Sequence, residues 1–322
     1  MVTGLEHKRL RSFDGTEIAY QVRGQGPAIV LANGLGGFYE AYRPIYDALG
    51  ERYRILCWDY RGIFRSGVPR DRSTLAVPYH CDDLERILDH EGIDRAVFIG
   101  WSMGVQVNFE LFRDRRDRID ALVAIGGTYG TPFRTALSSR VLHYAIPSLL
   151  RAIEVQGPLA NYATRTLAGW AGIIPTIKRL GIVSEQLDED SFRTVLDGFA
   201  TVDWRVYSQA LAQLGLHDAR DVLPEIDVPT LIMAGKRDIL VPAFVADEIH
   251  RAIAGSRLVV VEGGTHYALM EYPAVFRDEL LAFLAAVPGY EPEVAGKVAA
   301  RGGGAARGDG FERASGGPGS CA

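Results

Sequence analysis

The stretch Val97–Gln106, VFIGWSMGVQ, runs a short apolar segment into a serine with glycines two positions before and two positions after it. Its first half reads as a buried strand, because apolar and aromatic residues follow one another without a polar break. Its second half opens MGVQVNFELFRDRR, which has helical spacing. A strand that passes through one tight turn into a helix is the repeating unit of a parallel sheet covered by helices. The glycines have a physical reason in that setting. A turn that strains the serine backbone leaves no room for side chains two residues away, and it projects the hydroxyl above the sheet. Ser102 is then either a nucleophile or a polar residue in a glycine-rich turn, and the motif alone is only suggestive.

Working outward, the same alternation recurs. RLRSFDGTEIAYQV has two extended runs around Asp14-Gly15, a dipeptide suited to a tight hairpin, so the chain is expected to open with antiparallel strands. AIVLANG, YRILCWDY, RAVFIGWS and IDALVAIGG then read as short buried strands separated by amphipathic helical segments. The alternation stops after Gly127. From about Thr131 to Leu223 only helical spacing is found, and the strand pattern resumes with PTLIMAGKRD and RLVVVEGG before a last helix, PAVFRDELLAFLAAV. The expected fold class is therefore α/β: a mostly parallel, doubly wound sheet with a helical cap inserted after the sixth strand. The expected divisions are a core in two parts, residues 1–130 and 224–288, a helical cap over 131–223, and a disordered tail over 289–322. That tail is rich in Gly, Ala and Arg with few large apolar residues, so it cannot bury enough surface to offset its ordering entropy.

Composition narrows the function classes. With 48% hydrophobic and 23% charged residues the chain is expected to fold as a globular protein. A net charge of −5 with mixed signs offers no basic field for a phosphate backbone, so no nucleic-acid partner is expected. The N-terminus has basic residues without a following apolar run, and no stretch is long and apolar enough for a transmembrane segment, so a cytoplasmic location is expected. Three cysteines without paired spacing, Cys57, Cys81 and Cys321, give neither a disulfide framework nor a zinc site. No cofactor and no metal are called for. The oligomeric state is left open.

A serine hydroxyl needs a base, and the base needs an acid to orient it. Of seven histidines, His266 in VVVEGGTHYALMEYP follows the last strand and therefore lies at the carboxyl edge of the sheet, where open α/β folds bind ligands. Asp238 in LIMAGKRDILVP ends the preceding strand on the same edge, and its alternative role is to cap the following helix. The order Ser, Asp, His suits a triad. Donors for an oxyanion are expected from the backbone N–H groups of Met103, at the helix start, and Leu35, in VLANGLGG; the alternative for that loop is an ordinary strand-to-helix connection. Asn33, Gly34, Trp101, Tyr144 and Trp170 are candidate substrate-binding residues. Trp101 and the apolar cap residues have simple packing as their alternative.

Five motifs in order, NGLGG, WDYRGIFRSG, GWSMG, GKRD and GGTHYALMEYP, make residues 5 to about 287 resemble the α/β-hydrolase superfamily, in its cofactor-independent branch with a helical cap. The resemblance implies that Ser102 is the nucleophile, Asp238 the acid, His266 the base, and Leu35 with Met103 the oxyanion donors. Two departures stand out: Asn33 where many members have histidine, and Val105 where many carry a third glycine. Asp59 and Arg61 read as scaffolding. The implied activity is hydrolysis of a carboxylic ester of a small or medium-sized apolar substrate. The same residues serve a lactonase, thioesterase, C–C bond hydrolase, cofactor-free haloperoxidase or perhydrolase, or acyltransferase. A non-catalytic ligand receptor on this fold is the alternative of another class.

Overall fold

The computed structural model describes residues 2–50, 52–134 and 142–291, with the backbone alone for 142–144. The strands are β1 (Glu6–Arg11), β2 (Glu17–Arg23), β3 (Ala28–Ala32), β4 (Arg54–Trp58), β5 (Ala96–Trp101), β6 (Ile119–Ile125), β7 (Thr230–Gly235) and β8 (Arg257–Val261). They form one sheet in the order β1-β2-β4-β3-β5-β6-β7-β8. The hairpin turns at Gly15, whose φ of 82° only glycine adopts freely, and Asp14 accepts a hydrogen bond from the Thr16 N–H at 2.9 Å. β1 and β2 pair antiparallel, as do β2 and β4, and every later pair is parallel.

Helices α1 (Arg43–Leu49), α2 (Val77–Glu91) and α3 (Met103–Arg115) connect the first strands. After β6 come α4 (Leu142–Val155), α5 (Gly157–Gly169), α6 (Ile173–Arg179), α7 (Glu189–Phe199) and α8 (Trp204–Leu216), the helical cap. α9 (Ala243–Ala252), α10 (Ala268–Glu271) and α11 (Pro273–Leu284) complete the order. Because side chains alternate along a strand, the sheet feeds two cores. Val30, Trp58, Phe98 and Leu122 point to one face, under α2, α3 and α9. Leu31, Cys57, Val97 and Val123 point to the other, under α1 and α11. This is the doubly wound arrangement expected from the near-continuous apolar strands.

Arg61, fully buried, donates to Asp83 (2.8 Å) and Asp14 (3.1 Å), and its guanidinium lies 4.8 Å from the centre of the Phe13 ring. It ties the opening hairpin to α2. His80, on α2, turns inward, packs against Tyr60 with ring centres 4.6 Å apart and planes tilted by 52°, and has no exposure. Burial first, and the Arg61 charge second, lower its pKa to about 3. The unfolded chain therefore takes up this proton first as the pH falls. The stability that neutral His80 contributes is complete above about pH 6.5 and is lost progressively toward pH 3. Between neutral pH and about pH 4.5 the loss is on the order of 2 kcal/mol. Urea unfolding at the two pH values is expected to show a drop of this size beyond that of His80→Phe; equal drops would mean that His80 does not titrate between them.

The expected end of the packed chain at Pro288 needs correction. Tyr290 is buried, its hydroxyl donates to the Ala28 carbonyl at 2.9 Å and lies 3.1 Å from Asp120, and its ring stacks on Tyr53. A single aromatic anchor in a Gly- and Pro-rich segment does not register in composition. The rest of the expected tail, 292–322, and residues 135–141 at the start of the expected cap lie outside the described residues.

Candidate active site

The turn between β5 and α3 is built by exclusion. Ser102 has φ 55° and ψ −116°, a conformation costly for a residue with a Cβ. It is held by its own N–H, which donates to the Ile125 carbonyl of β6 at 2.9 Å. A Cβ on Gly100 would lie 2.5 Å from the Gly104 carbonyl oxygen, and one on Gly104 would lie 2.0 Å from the Ala32 carbonyl oxygen of β3. Both glycines are required by backbone contact. Val105, the departure from the three-glycine pattern, is accommodated from the other side: Gly127, just after β6, leaves the space for it, since a Cβ there would lie 2.3 Å from a Val105 methyl.

The structure brings Ser102, His266 and Asp238 together. His266 Nε2 lies 3.0 Å from Ser102 Oγ, and His266 Nδ1 lies 2.8 Å from Asp238 Oδ2. The two nitrogens have different partners, so the hydrogen-bond network assigns the proton to Nδ1, facing the carboxylate, and leaves Nε2 as acceptor for the serine. Asp238 does not cap the following helix, whose N-cap is Pro242; its Oδ1 instead accepts from the loop N–H groups of Leu240 and Val241, each at 2.8 Å. That fixes the carboxylate while Oδ2 faces the imidazole. Asp238 and His266 are 5% and 7% exposed, which strengthens the pair relative to water.

The loop after β3 lies against this group. A Cβ on Gly34 would lie 3.2 Å from Ser102 Cβ, so the loop backbone reaches the serine only because that residue is glycine. Among the described residues, neither the Leu35 N–H nor the Met103 N–H has a hydrogen-bond partner. Asn33 is not a substrate contact. Its side chain is fully buried and donates to the Trp58 carbonyl at 2.7 Å, so it holds the loop to β4, where a polar side chain finds an unclaimed backbone acceptor. The Tyr60 hydroxyl donates to the Asn33 carbonyl at 2.7 Å, and the Tyr42 hydroxyl to the Ala32 carbonyl.

Trp101 is buried beneath the same loop. A Cβ on Gly37 would lie 2.9 Å from its ring, and its indole N–H donates to the His266 carbonyl at 3.1 Å. It packs, and it supports both the glycine loop and the histidine backbone. Trp170 stands at the C-cap of α5 and is 52% exposed. The side chain of Tyr144 lies outside the described residues.

Residues not singled out from the sequence complete the surroundings. Phe199 and Tyr207, from α7 and α8, lie over the loop: a Cβ on Gly36 would be 2.5 Å from the first ring and 3.1 Å from the second. Tyr267 stands with its ring centre 5.8 Å from those of His266 and Trp101, and it packs edge-on against Phe192 of α7. Burial raises the phenol pKa of Tyr267 to about 12 and that of Tyr207 further, so both remain donors at neutral pH. Glu271, buried, accepts from the Thr265 N–H (2.8 Å), the Thr265 hydroxyl (2.7 Å) and the Ser184 N–H (2.6 Å), tying the turn that carries His266 to the cap. No spacing rule points to Glu271; its partners lie 6 and 87 positions before it and meet only in the fold. Among the described residues, no group of three His, Cys, Asp or Glu side chains converges as a metal site requires.

Fold and site define an α/β enzyme scaffold with a polar relay at the carboxyl edge of its sheet. Residues 29–279 match the Alpha/beta hydrolase family, and the chain belongs to it. A candidate carbamate hydrolase, RutD, of Azorhizobium caulinodans is 27% identical over 271 residues, 83% of this chain and 94% of the relative. The pimeloyl-[acyl-carrier protein] methyl ester esterase of Vibrio atlanticus is 27% identical over 82% of this chain and 96% of its own length. Among solved structures, a hydrolase from Pseudomonas aeruginosa PA01 superposes with TM-score 0.72 at 24% identity, over 87% of this chain and 99% of that one.

Proposed function

We propose that the protein is a serine hydrolase that cleaves a carboxylic ester of a small or medium-sized apolar substrate through an acyl-enzyme. The observation that carries this reading is the continuous relay from Ser102 through His266 to Asp238, at 3.0 and 2.8 Å, beside two backbone N–H groups that have no partner among the described residues. In the first step Ser102 Oγ attacks the carbonyl carbon while His266 Nε2 takes its proton. Asp238 stabilises the imidazolium, and the Leu35 and Met103 N–H groups receive the oxyanion. Collapse of the tetrahedral adduct expels the alcohol, which takes the proton from His266. Water then repeats the sequence on the acyl-serine and regenerates the hydroxyl.

The aromatic surroundings, Phe199, Tyr207 and Tyr267, favour an apolar acyl or alcohol group. The reading is supported by the names of the relatives, which include an ester esterase, and by solved neighbours that include the enol-lactonase of Burkholderia xenovorans LB400. The test is labelling with a fluorophosphonate, which reacts only with an activated serine. One adduct is expected, on the peptide that contains Ser102, and its formation is expected to compete with nitrophenyl ester hydrolysis. Stoichiometric labelling elsewhere, or none while ester hydrolysis proceeds, would refute Ser102 as nucleophile.

A further inference from the structure

Helix α5 is amphipathic in the reverse sense. It packs on the cap through small residues: Gly157, buried, sits so close to α8 that a Cβ there would lie 2.2 Å from the Arg205 side chain, and Ala168 is 3% exposed. At about 100° per residue, Gly157 and Ala168 occupy one side of the helix. The opposite side carries Leu159, Tyr162 and Leu167, with Trp170 at the C-cap, 62%, 70%, 54% and 52% exposed. They fall within an arc of about 140°. Burying such side chains is worth far more than leaving them in water, and a row of four on one helix face is unlike the single exposed apolar residues of an ordinary surface.

The charge around this stripe is opposite to that of the whole protein. Residues 142–182 contain four basic residues (Arg151, Arg165, Lys178, Arg179) and one acidic residue (Glu154), a net of +3 in a chain whose net charge is −5. Arg151, Arg165 and Arg179 are exposed and, among the described residues, have no carboxylate partner. The segments outside the described residues supply little to cover the stripe, since 292–322 contain only Val294, Val298 and Phe311, and 135–141 only Leu137 and Val141, as large apolar residues. A second copy docked symmetrically would bring like-charged arginines together. Leu, Tyr and Trp on one helix face, with Arg165 beside them on the same helix and further arginines on the helices before and after it, match the boundary between lipid chains and anionic headgroups.

We infer that the outer face of α5 is a docking surface for an anionic lipid bilayer, on which the protein lies peripherally. No helix among the described residues is long and apolar enough to cross a membrane, so the association is interfacial. The inference does not depend on the reaction proposed above, and Ser102→Ala is expected to bind vesicles as the parent does.

The test is co-sedimentation with vesicles of phosphatidylcholine, alone or with one-third phosphatidylglycerol. The parent is expected to bind the anionic vesicles, and less as salt is raised. The combined variant Leu159→Ser, Tyr162→Ser, Leu167→Ser is expected to bind at least about tenfold more weakly while keeping its circular dichroism and its rate on a short soluble ester. Arg151→Glu with Arg165→Glu is expected to weaken binding to the anionic vesicles by a similar factor. No binding by the parent, or binding unaffected by both variants, would overturn the inference. So would a parent dimer in sedimentation equilibrium that the apolar-to-serine variant converts to monomer, because the occupant of the stripe would then be a second copy.

Discussion

Ser102→Ala is expected to lower kcat for nitrophenyl esters by a factor on the order of 10⁵, with KM little changed and the fold intact. Loss of the attacking atom removes the covalent route altogether, leaving only the Leu35 and Met103 N–H groups to assist direct attack by water. Stability is not expected to fall with activity. The strained backbone at residue 102, φ 55°, is held by the N–H donated to Ile125, a bond that alanine keeps. His266→Ala is expected to cost nearly as much, and the double variant little more than either single one, because residues that act as a unit do not contribute additively. The measurement is kcat and KM for the three variants beside a urea unfolding curve for each. Near-parental turnover in folded Ser102→Ala would remove this serine from the chemistry, and strictly multiplicative losses in the double variant would mean that Ser102 and His266 act independently.

The parts of this arrangement that were legible in the sequence are those set by local rules. The hairpin at Asp14-Gly15, the strand-turn-helix around Ser102, and the strand ends at Asp238 and His266 each depend on a few neighbouring residues, and the structure places all of them accordingly. Chain order then identifies the sheet edge on which they meet. What was not legible depends on contacts between distant segments. Glu271 joins Thr265 to Ser184, 87 positions away, and Tyr290 reaches Ala28, 262 positions away. Helical spacing marks α5 as a helix, yet its buried side is the one with Gly157 and Ala168, and Trp170 at its end stays 52% exposed. Close helix packing decided that orientation, and packing partners are not written into spacing.

The same distinction explains Asn33 and Val105. Read locally, asparagine in place of histidine and valine in place of glycine put the loop and the elbow in doubt. In the fold, Asn33 finds the Trp58 carbonyl and Val105 fills the space that Gly127 leaves. Each departure has its compensation on a neighbouring strand or just beyond one. An elbow of this type thus requires glycine only where backbone faces backbone, and a side-chain contact can be relieved from either partner.

Gly104→Ala tests that conclusion at its sharpest point. Intrinsic propensity favours alanine in a helix by about 1 kcal/mol, so an uncrowded position would be stabilised. At residue 104 the added methyl would lie 2.0 Å from the Ala32 carbonyl oxygen and 2.5 Å from its carbon. Neither atom belongs to a flexible side chain. β3 is paired on both sides, with β4 and β5, and the start of α3 is bound to β6 through the Ser102 N–H, so relief requires moving a central strand or the helix. The expected result is a net loss of about 3 kcal/mol or more in urea unfolding. Ester turnover is expected to fall together with stability, since any shift of α3 carries Ser102 and the Met103 N–H with it. Gly169→Ala is the matched control: it is the last residue of α5 with nothing within 4 Å of the added methyl, and it is expected to leave stability unchanged or raise it by up to about 1 kcal/mol. If the two variants unfold at the same urea concentration, the close contact between α3 and β3 does not exist in solution. A Gly104→Ala protein that is destabilised but fully active would instead mean that the elbow tolerates displacement, and that the geometry at Ser102 is set by β5 alone.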